Sequence, residues 1–284
     1  MRPVTRRGQN FLIDHNLLQV LVDAAELTPQ DVVLEVGTGT GALTALIAQR
    51  VTAVVTVEID RHLFALASEQ LLGQPNVTLL CLDALASKNR LEPRVLEAVA
   101  QHTQQAPSCQ WKLVANLPFN VATPVLSNLL AGPVVPSTMT VTIQKELAER
   151  IAAAPQTKAY SALSLWIQSQ CHVRIVRMLP PAVFWPRPKV TGAMIHLVVD
   201  ADRRQGIADL GYWHQFVRAV FLQRRKFLRT VLLSTFKRRL SKADVDAILE
   251  QLGLGPSTRA EQLDVATMRS LCEAVRAKAP DWRR

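Results

Sequence analysis

Three groups of residues in this chain of 284 have the types and spacing to do chemistry. The first is Gly37-Thr38-Gly39-Thr40-Gly41, which follows the apolar run 32–36 and precedes a stretch with helical periodicity. Glycine at alternate positions lets the backbone turn sharply and lets a ligand approach it without meeting a Cβ. Written as Gly37-x-Gly39-x-x-Ala42, the same turn satisfies the dinucleotide fingerprint, so a nicotinamide cofactor and a plain structural turn both stay open at this point. The second is Glu58, which closes the next apolar run about 20 residues on, where a carboxylate accepts hydrogen bonds from two ribose hydroxyls. A solvated strand-end acid is the plainer reading of Glu58 alone; turn and acid together point to a nucleoside cofactor.

The third group is Asn116-Leu117-Pro118-Phe119, after the run 112–115. The Asn116 side-chain oxygen and the Leu117 carbonyl can accept hydrogen bonds from an exocyclic amine, and the Phe119 ring can stack on a base. This pattern suits methylation of a base amino group. In isolation the tetrapeptide also reads as a proline turn with a core phenylalanine.

These residues need a frame to hold them. Runs 32–36, 53–59, 77–82 and 112–115 are short and aliphatic or β-branched, as buried strands are, while 42–50 and 61–72 carry apolar residues at helical spacing. Such alternation predicts βαβ units and a mostly parallel sheet with helices on both faces. Further strands are expected at 139–143 and 194–199, and further helices at 91–104, 145–153 and 162–170. Residues 200–206 read as a polar linker, 213–237 as one helix, Ser241 to Asp244 as a capping box, and Asp264 as the cap of a last helix. The fold expected is α/β, a doubly wound, mostly parallel Rossmann-like sheet over 1–200, with a smaller all-helical C-terminal domain over 201–284.

Charge divides along the same line. Of a net +10, only +2 falls in residues 1–200 and +8 in 201–284. Between Asp209 and Asp244 there is no acid against nine cations, among them Arg224, Arg225, Lys226 and Arg229. Most charge runs are solvated helix faces, but a run without interspersed acids favours contact with nucleic acid. A hydrophobic share of 49% excludes a disordered chain. Gln9, Asn10 and Asp14 interrupt any apolar segment of a signal peptide, and no run of about 18 apolar residues exists, so a soluble protein with no membrane partner is expected. Cys81, Cys109, Cys171 and Cys272 lack CxxC spacing and predict reduced thiols, no metal site and a cytoplasmic location.

The motifs, taken in order, resemble the rRNA adenine N6,N6-dimethyltransferases, and among them the bacterial small-subunit (KsgA) type. They are Gly8-Gln9-Asn10-Phe11-Leu12, 35–41, Glu58, Asp83-Ala84, Asn116 to Asn120, Gln144-Lys145-Glu146, 158–164, 184–190 and Arg224-Arg225-Lys226. The resemblance implies S-adenosylmethionine as methyl donor and two adjacent adenosines in the 3′-terminal hairpin loop of small-subunit (16S) rRNA as substrate, within an immature small ribosomal subunit. It implies that Asn10 and Leu12 close over the cofactor, Gly37 lies beside its methionine portion, Glu58 holds the ribose, Asp83 takes the adenine amino group, and Asn116 stands between cofactor and substrate. The target base would lie between Phe119 and an aromatic of the segment opened by Phe184, with Leu117 and Pro118 completing the catalytic turn. Arg224, Arg225, Lys226 and Arg229 would share one helix and face phosphates, and Arg2, Arg6 and Arg7 would join them or form a solvated arm. A monomer is expected.

Three departures stand out. Phe119 replaces a more frequent Tyr, Ser161 replaces a frequent Gly, and the stretch from Asp83 to Asn116 is long, read here as a surface insertion. Rival readings are a large-subunit adenine methylase of the antibiotic-resistance type, a non-catalytic assembly or transcription factor on the same fold, and an NAD dehydrogenase, for which no hydride-transfer constellation is present.

Overall fold

The structure, a computed structural model, describes residues 9–105 and 109–282; Gly8 and the expected contributions of Arg2, Arg6 and Arg7 lie outside them. The chain forms two compact units, one of residues 1–148 with 172–199 and one of residues 149–171 with 200–284.

The first unit contains β1 (Phe11–Leu12), α1 (His15–Ala24), β2 (Val32–Val36), α2 (Ala42–Ala48), β3 (Ala53–Glu58), α3 (Arg61–Gln70) and β4 (Val77–Cys81). A hairpin of β5 (Leu85–Ser87) and β6 (Arg90–Leu91) follows, then α4 (Pro93–Gln105), β7 (Trp111–Asn116), α5 (Ala122–Ala131), β8 (Thr138–Gln144) and α6 (Lys145–Ile151), which reaches past the unit's boundary. The unit closes with β9 (Cys171–Leu179), β10 (Phe184–Trp185) and β11 (Gly192–Val199). Seven strands form one sheet in the order β4-β3-β2-β7-β8-β11-β9. The pairs among β4, β3, β2, β7 and β8 are parallel and β11 runs antiparallel to β8.

Every residue of β2 and β3 is buried, which is why these strands read as mostly aliphatic runs, broken only by Glu35, Thr56 and the strand-end Glu58: a parallel sheet covered on both faces needs aliphatic side chains on both. Strand order reverses at β2, with β3 and β4 to one side and β7 and β8 to the other. Open α/β sheets bind ligands at the carboxyl ends of the strands at such a point.

Two expectations change here. The long segment after Asp83 is not a surface insertion, because α4 buries Val95, Ala98 and Val99 and packs on β2 and β3 as the crossover from β4 to β7. Strand β9 was not expected, because His172, Arg174 and Arg177 interrupt its aliphatic residues. At the sheet edge that mixture is tolerated, since much of the strand meets solvent.

The second unit is helical: α7 (Ala162–Gln168), α8 (Ala201–Gln205), α9 (Leu210–Phe221), α10 (Leu228–Thr235), α11 (Lys242–Gln251) and α12 (Val265–Lys278). Its core is aromatic, with Tyr160, Trp166, Tyr212, Trp213, Phe216 and Phe236 all buried. Residues 149–171, expected within the sheet domain, belong to this unit because they supply Tyr160 and Trp166. The Tyr160 hydroxyl donates to the Leu263 carbonyl (2.9 Å), and Trp213 Nε1 donates to Ser169 Oγ (3.0 Å). Ser161 needs no glycine backbone: its φ of −153° is extended, its N–H donates to Ser164 Oγ (2.9 Å), and it caps α7.

Residues 200–206 form a capped turn of helix rather than a linker, because the Asp200 carboxylate accepts from Arg203 N at 2.9 Å. The helix expected over 213–237 is broken into α9 and α10. Leu228 N donates to Thr258 O (2.7 Å) and Phe227 forms a β-bridge to Arg259, which takes the backbone out of the helix at 227. The caps expected of Ser241 and Asp264 are both formed.

Candidate active site

At the carboxyl ends of β2, β3, β4 and β7 lies an open cleft, where sheets of this kind bind their ligands. Asn10, Gly37, Glu58, Asp83, Asn116 and Pro118 line it together, although the sequence spreads them over more than a hundred positions.

The glycine turn is conformationally obligatory. Gly37, Gly39 and Gly41 have φ of 89°, 60° and 88°, where a side chain is strained. Space is also short: a Cβ on Gly37 would stand 3.2 Å from Pro118 Cδ, and one on Gly39 would stand 3.2 Å from the Phe11 ring. The turn therefore meets both the Asn116 segment and β1 through bare backbone.

Glu58 ties the turn down. Its two oxygens accept from Gly39 N (2.9 Å) and Asp60 N (2.9 Å). Burial raises its pKa, and those backbone donors pull the other way. Each oxygen keeps a further lone pair for a diol. Beneath it, Glu35 is buried on β2 and accepts from Thr44 Oγ1 (2.5 Å) and Thr56 Oγ1 (2.6 Å) through one oxygen, while the other is without a partner among the described residues. Loss of hydration pushes the Glu35 carboxyl up to about 7, against the two hydroxyl bonds and with a smaller push from the Glu58 charge. Asp83 is exposed, and one of its oxygens accepts from Leu85 N at 2.9 Å.

Asn116 closes β7. Its Nδ2 donates to the Asn10 carbonyl (2.8 Å), which fixes the amide orientation; Oδ1 is buried and has no partner among the described residues. Leu117 is buried, with its N–H donating to Thr142 O on β8 (3.2 Å), and the Pro118 carbonyl accepts from Val121 N (3.0 Å). The turn is thus held on both sides while Oδ1 offers an unused acceptor.

The ribbon of β1 and β10 separates residues that the motifs place side by side. Phe11 pairs with Trp185 and Leu12 with Phe184. Side chains alternate along a strand, so one pair faces the cleft side and the other the core. Phe11 lines the cleft and stacks on Trp185 (centroids 6.1 Å, 23°), whereas Leu12 and Phe184 lie in the hydrophobic core. The Leu12 side chain therefore belongs to the core, which leaves its backbone as the part that could meet the cofactor. Phe184, 2% exposed, presents no face to a base; its ring meets Phe119 edge to face (6.2 Å, 72°) and sets that ring's attitude. Among the lining residues that the sequence analysis did not assign to the site are Phe11, Ile59 and Leu82. Phe11 lay inside a quoted motif and was discoverable from strand alternation with Leu12; Ile59, exposed beside Glu58, gave the signal of an apolar residue following a strand-end acid.

In the helical unit the four candidate RNA-binding cations have different surroundings. They lie in the turn 222–227 and at the start of α10, not along one helix. Arg224 donates to the carbonyls of Tyr160 and Lys158 and lies 3.5 Å from Glu261, so it braces the unit. Arg229 makes a two-point ion pair with Asp246 (2.5 and 2.9 Å). Arg225 and Lys226 are exposed. Among the described residues, no group of three or more His, Cys, Asp or Glu is placed to hold a metal ion, and no helix is long and apolar enough to cross a membrane.

Comparison with known proteins follows the same lines. Residues 4–276 match the family described as ribosomal RNA adenine dimethylase. The chain is 36% identical over 274 residues to a ribosomal RNA small subunit methyltransferase A of Streptococcus pneumoniae (strain CGSP14), covering 95% of this chain and 91% of that one. A dimethyladenosine transferase from Plasmodium falciparum shares the fold, with a TM-score of 0.79, 22% identity and coverage of 95% and 98%. The 23S rRNA methyltransferase ErmE is similar at a TM-score of 0.69 and 25% identity, covering 93% and 99%.

Proposed function

Because the chain belongs to the ribosomal RNA adenine dimethylase family, we propose that it places two methyl groups on N6 of each of two adjacent adenosines in the 3′-terminal hairpin loop of small-subunit rRNA. It acts as a monomer on immature small subunits in the cytoplasm, with S-adenosylmethionine as donor. The observation that carries this reading is the buried Oδ1 of Asn116 at the cleft, an acceptor without a partner among the described residues whose desolvation an arriving N–H offsets.

The cleft fits the donor. Glu58 holds the ribose hydroxyls, Asp83 the adenine amino group, and Ile59 and Leu82 supply apolar walls for the ring. The backbone of Gly37 and Gly39 takes the methionine portion without a Cβ in the way. Bound there, the donor supplies an electrophilic sulfonium methyl.

The target adenine leaves its stack and lies against Phe119, whose ring is held by Phe184. Asn116 Oδ1 and the Leu117 carbonyl accept its two N6 hydrogens, which orients the nitrogen lone pair and raises its electron density. Once alkylated the nitrogen is acidic, and its proton leaves to solvent without a strong general base. The orientation of Asn116 is set by the Asn10 carbonyl, so its Oδ1 stays in place for the one N6 hydrogen that the monomethylated amine brings to the second transfer.

The test is transfer of labelled methyl groups to immature small subunits and to large-subunit rRNA, with the modified bases identified. Dimethyladenosine in the small-subunit loop is expected. Label in large-subunit rRNA alone would assign the antibiotic-resistance type, and binding of RNA without transfer would assign a non-catalytic role.

A further inference from the structure

The turn 222–227 of the helical unit exposes apolar surface that its own packing does not use. Phe227 is 47% exposed and Leu222 64% exposed, among the exposed cations Arg225, Lys226 and Arg259. The turn is braced from within by Arg224 and Glu261, and at 227 by the backbone bridge to Arg259. Phe227 is therefore an exposed aromatic on a fixed backbone. The Arg259 guanidinium carbon stands 5.7 Å from its ring centre. A planar cation over an aromatic ring is a stack that a third planar group can extend.

We propose that Phe227 and Arg259 form a stacking platform for an unpaired base of RNA, with Arg225 and Lys226 on the flanking phosphates. This rests on RNA being the substrate, as proposed above, and adds to it a base contact remote in sequence from the catalytic turn. An anionic lipid surface would also attract cations beside apolar side chains. RNA is favoured because insertion into lipid calls for an amphipathic helix with an exposed apolar face, whereas α10 buries Leu228, Val231 and Leu232. Phosphate contacts weaken with salt and stacking does not, so the two contributions separate experimentally.

The experiment titrates the full chain with a short single-stranded oligoribonucleotide carrying 2-aminopurine, reading anisotropy and fluorescence over a series of salt concentrations. Phe227→Ala should weaken binding about 5- to 160-fold at every salt concentration, leave the slope of log K against log salt unchanged, and abolish quenching of the base. Phe227→Trp should restore affinity and quenching. Lys226→Gln should lower the slope by about 1 with quenching retained. Wild-type affinity in Phe227→Ala, or full rescue by Phe227→Leu, would overturn the platform. Preference of the wild-type chain for phosphatidylserine vesicles over RNA would overturn it in favour of lipid. Methyl transfer by the wild-type chain, measured in parallel, separates the two failures: transfer to small-subunit rRNA with no role for Phe227 leaves the functional reading standing and removes only this inference.

Discussion

In the sheet unit two buried acids are held by backbone and hydroxyl donors: Glu58, at the cleft, by Gly39 and Asp60, and Glu35, on β2, by Thr44 and Thr56. Along 224–229 of the helical unit they are cations of two kinds, Arg224 and Arg229 tied to partners and Arg225 and Lys226 in solvent. For these two acids burial makes charge costly, so each is fixed by its donors, whereas Asp83 lines the cleft from an exposed position. On the turn, charges are cheap, and proximity in sequence says nothing about which are available. A net charge of +8 in the last third thus overstates the positive surface open to a partner, because part of it closes the fold on itself.

The strongest challenge to this contrast is at Asn116. Asn116→Ala should lower the rate of methyl transfer by about 100- to 1,000-fold, as loss of a fixed polar group in a water-poor site does. Circular dichroism and the melting temperature should be nearly unchanged. A variant that retains near-normal transfer would remove the basis of the proposed function.

Glu35 tests the cost of burial. Its folded pKa of about 7 lies above the ordinary carboxyl value, so the folded state takes up a proton. The stability this group permits is greatest below about pH 4.5 and falls as pH rises towards 7, with no further change above. Denaturant unfolding of wild type and Glu35→Gln should therefore diverge, the wild type losing up to about 3 kcal/mol relative to the variant between pH 5 and pH 8. Parallel curves would mean that Glu35 is ionised throughout.

The turn gives smaller effects that sort its cations. Arg224→Ala should destabilise the chain by about 2 kcal/mol through loss of charged hydrogen bonds to two carbonyls, seen in thermal or denaturant unfolding. Arg225→Ala should leave unfolding unchanged and reduce the salt slope of RNA binding by about 1. Arg229→Ala should change the salt slope least, since Asp246 already neutralises it; a drop equal to that of Arg225→Ala would show that the pair opens on binding.

Much of the sheet was legible because parallel strands buried on both faces leave mostly aliphatic runs, as at 32–36 and 53–58. The helix caps at Ser241 and Asp264 were legible because capping is local chemistry. Edge strand β9 was not, since solvent on one side permits the arginines that disguise it. Nor was the break at 222–227, because the partners that cause it, Thr258 and Arg259, lie some thirty residues away and carry no signal near the turn. Leu12 and Phe184 were assigned to the site by motif, and a two-residue ribbon turned both to the core while presenting Phe11 and Trp185.

What the sequence alone determined is a set of local groups: glycines that permit left-handed backbone, and Glu58 and Asn116 as acceptors suited to a diol and an amine. These follow from local backbone rules and from functional-group chemistry, which need no knowledge of distant neighbours. Only the tertiary structure decided which way each group faces and whether it is free: that Asn10 leaves Asn116 Oδ1 unpaired, and that Arg224 is spent on the fold while Arg225 is not. Those outcomes depend on contacts between residues far apart in the chain, where burial and hydrogen bonding, not residue type, set the energy.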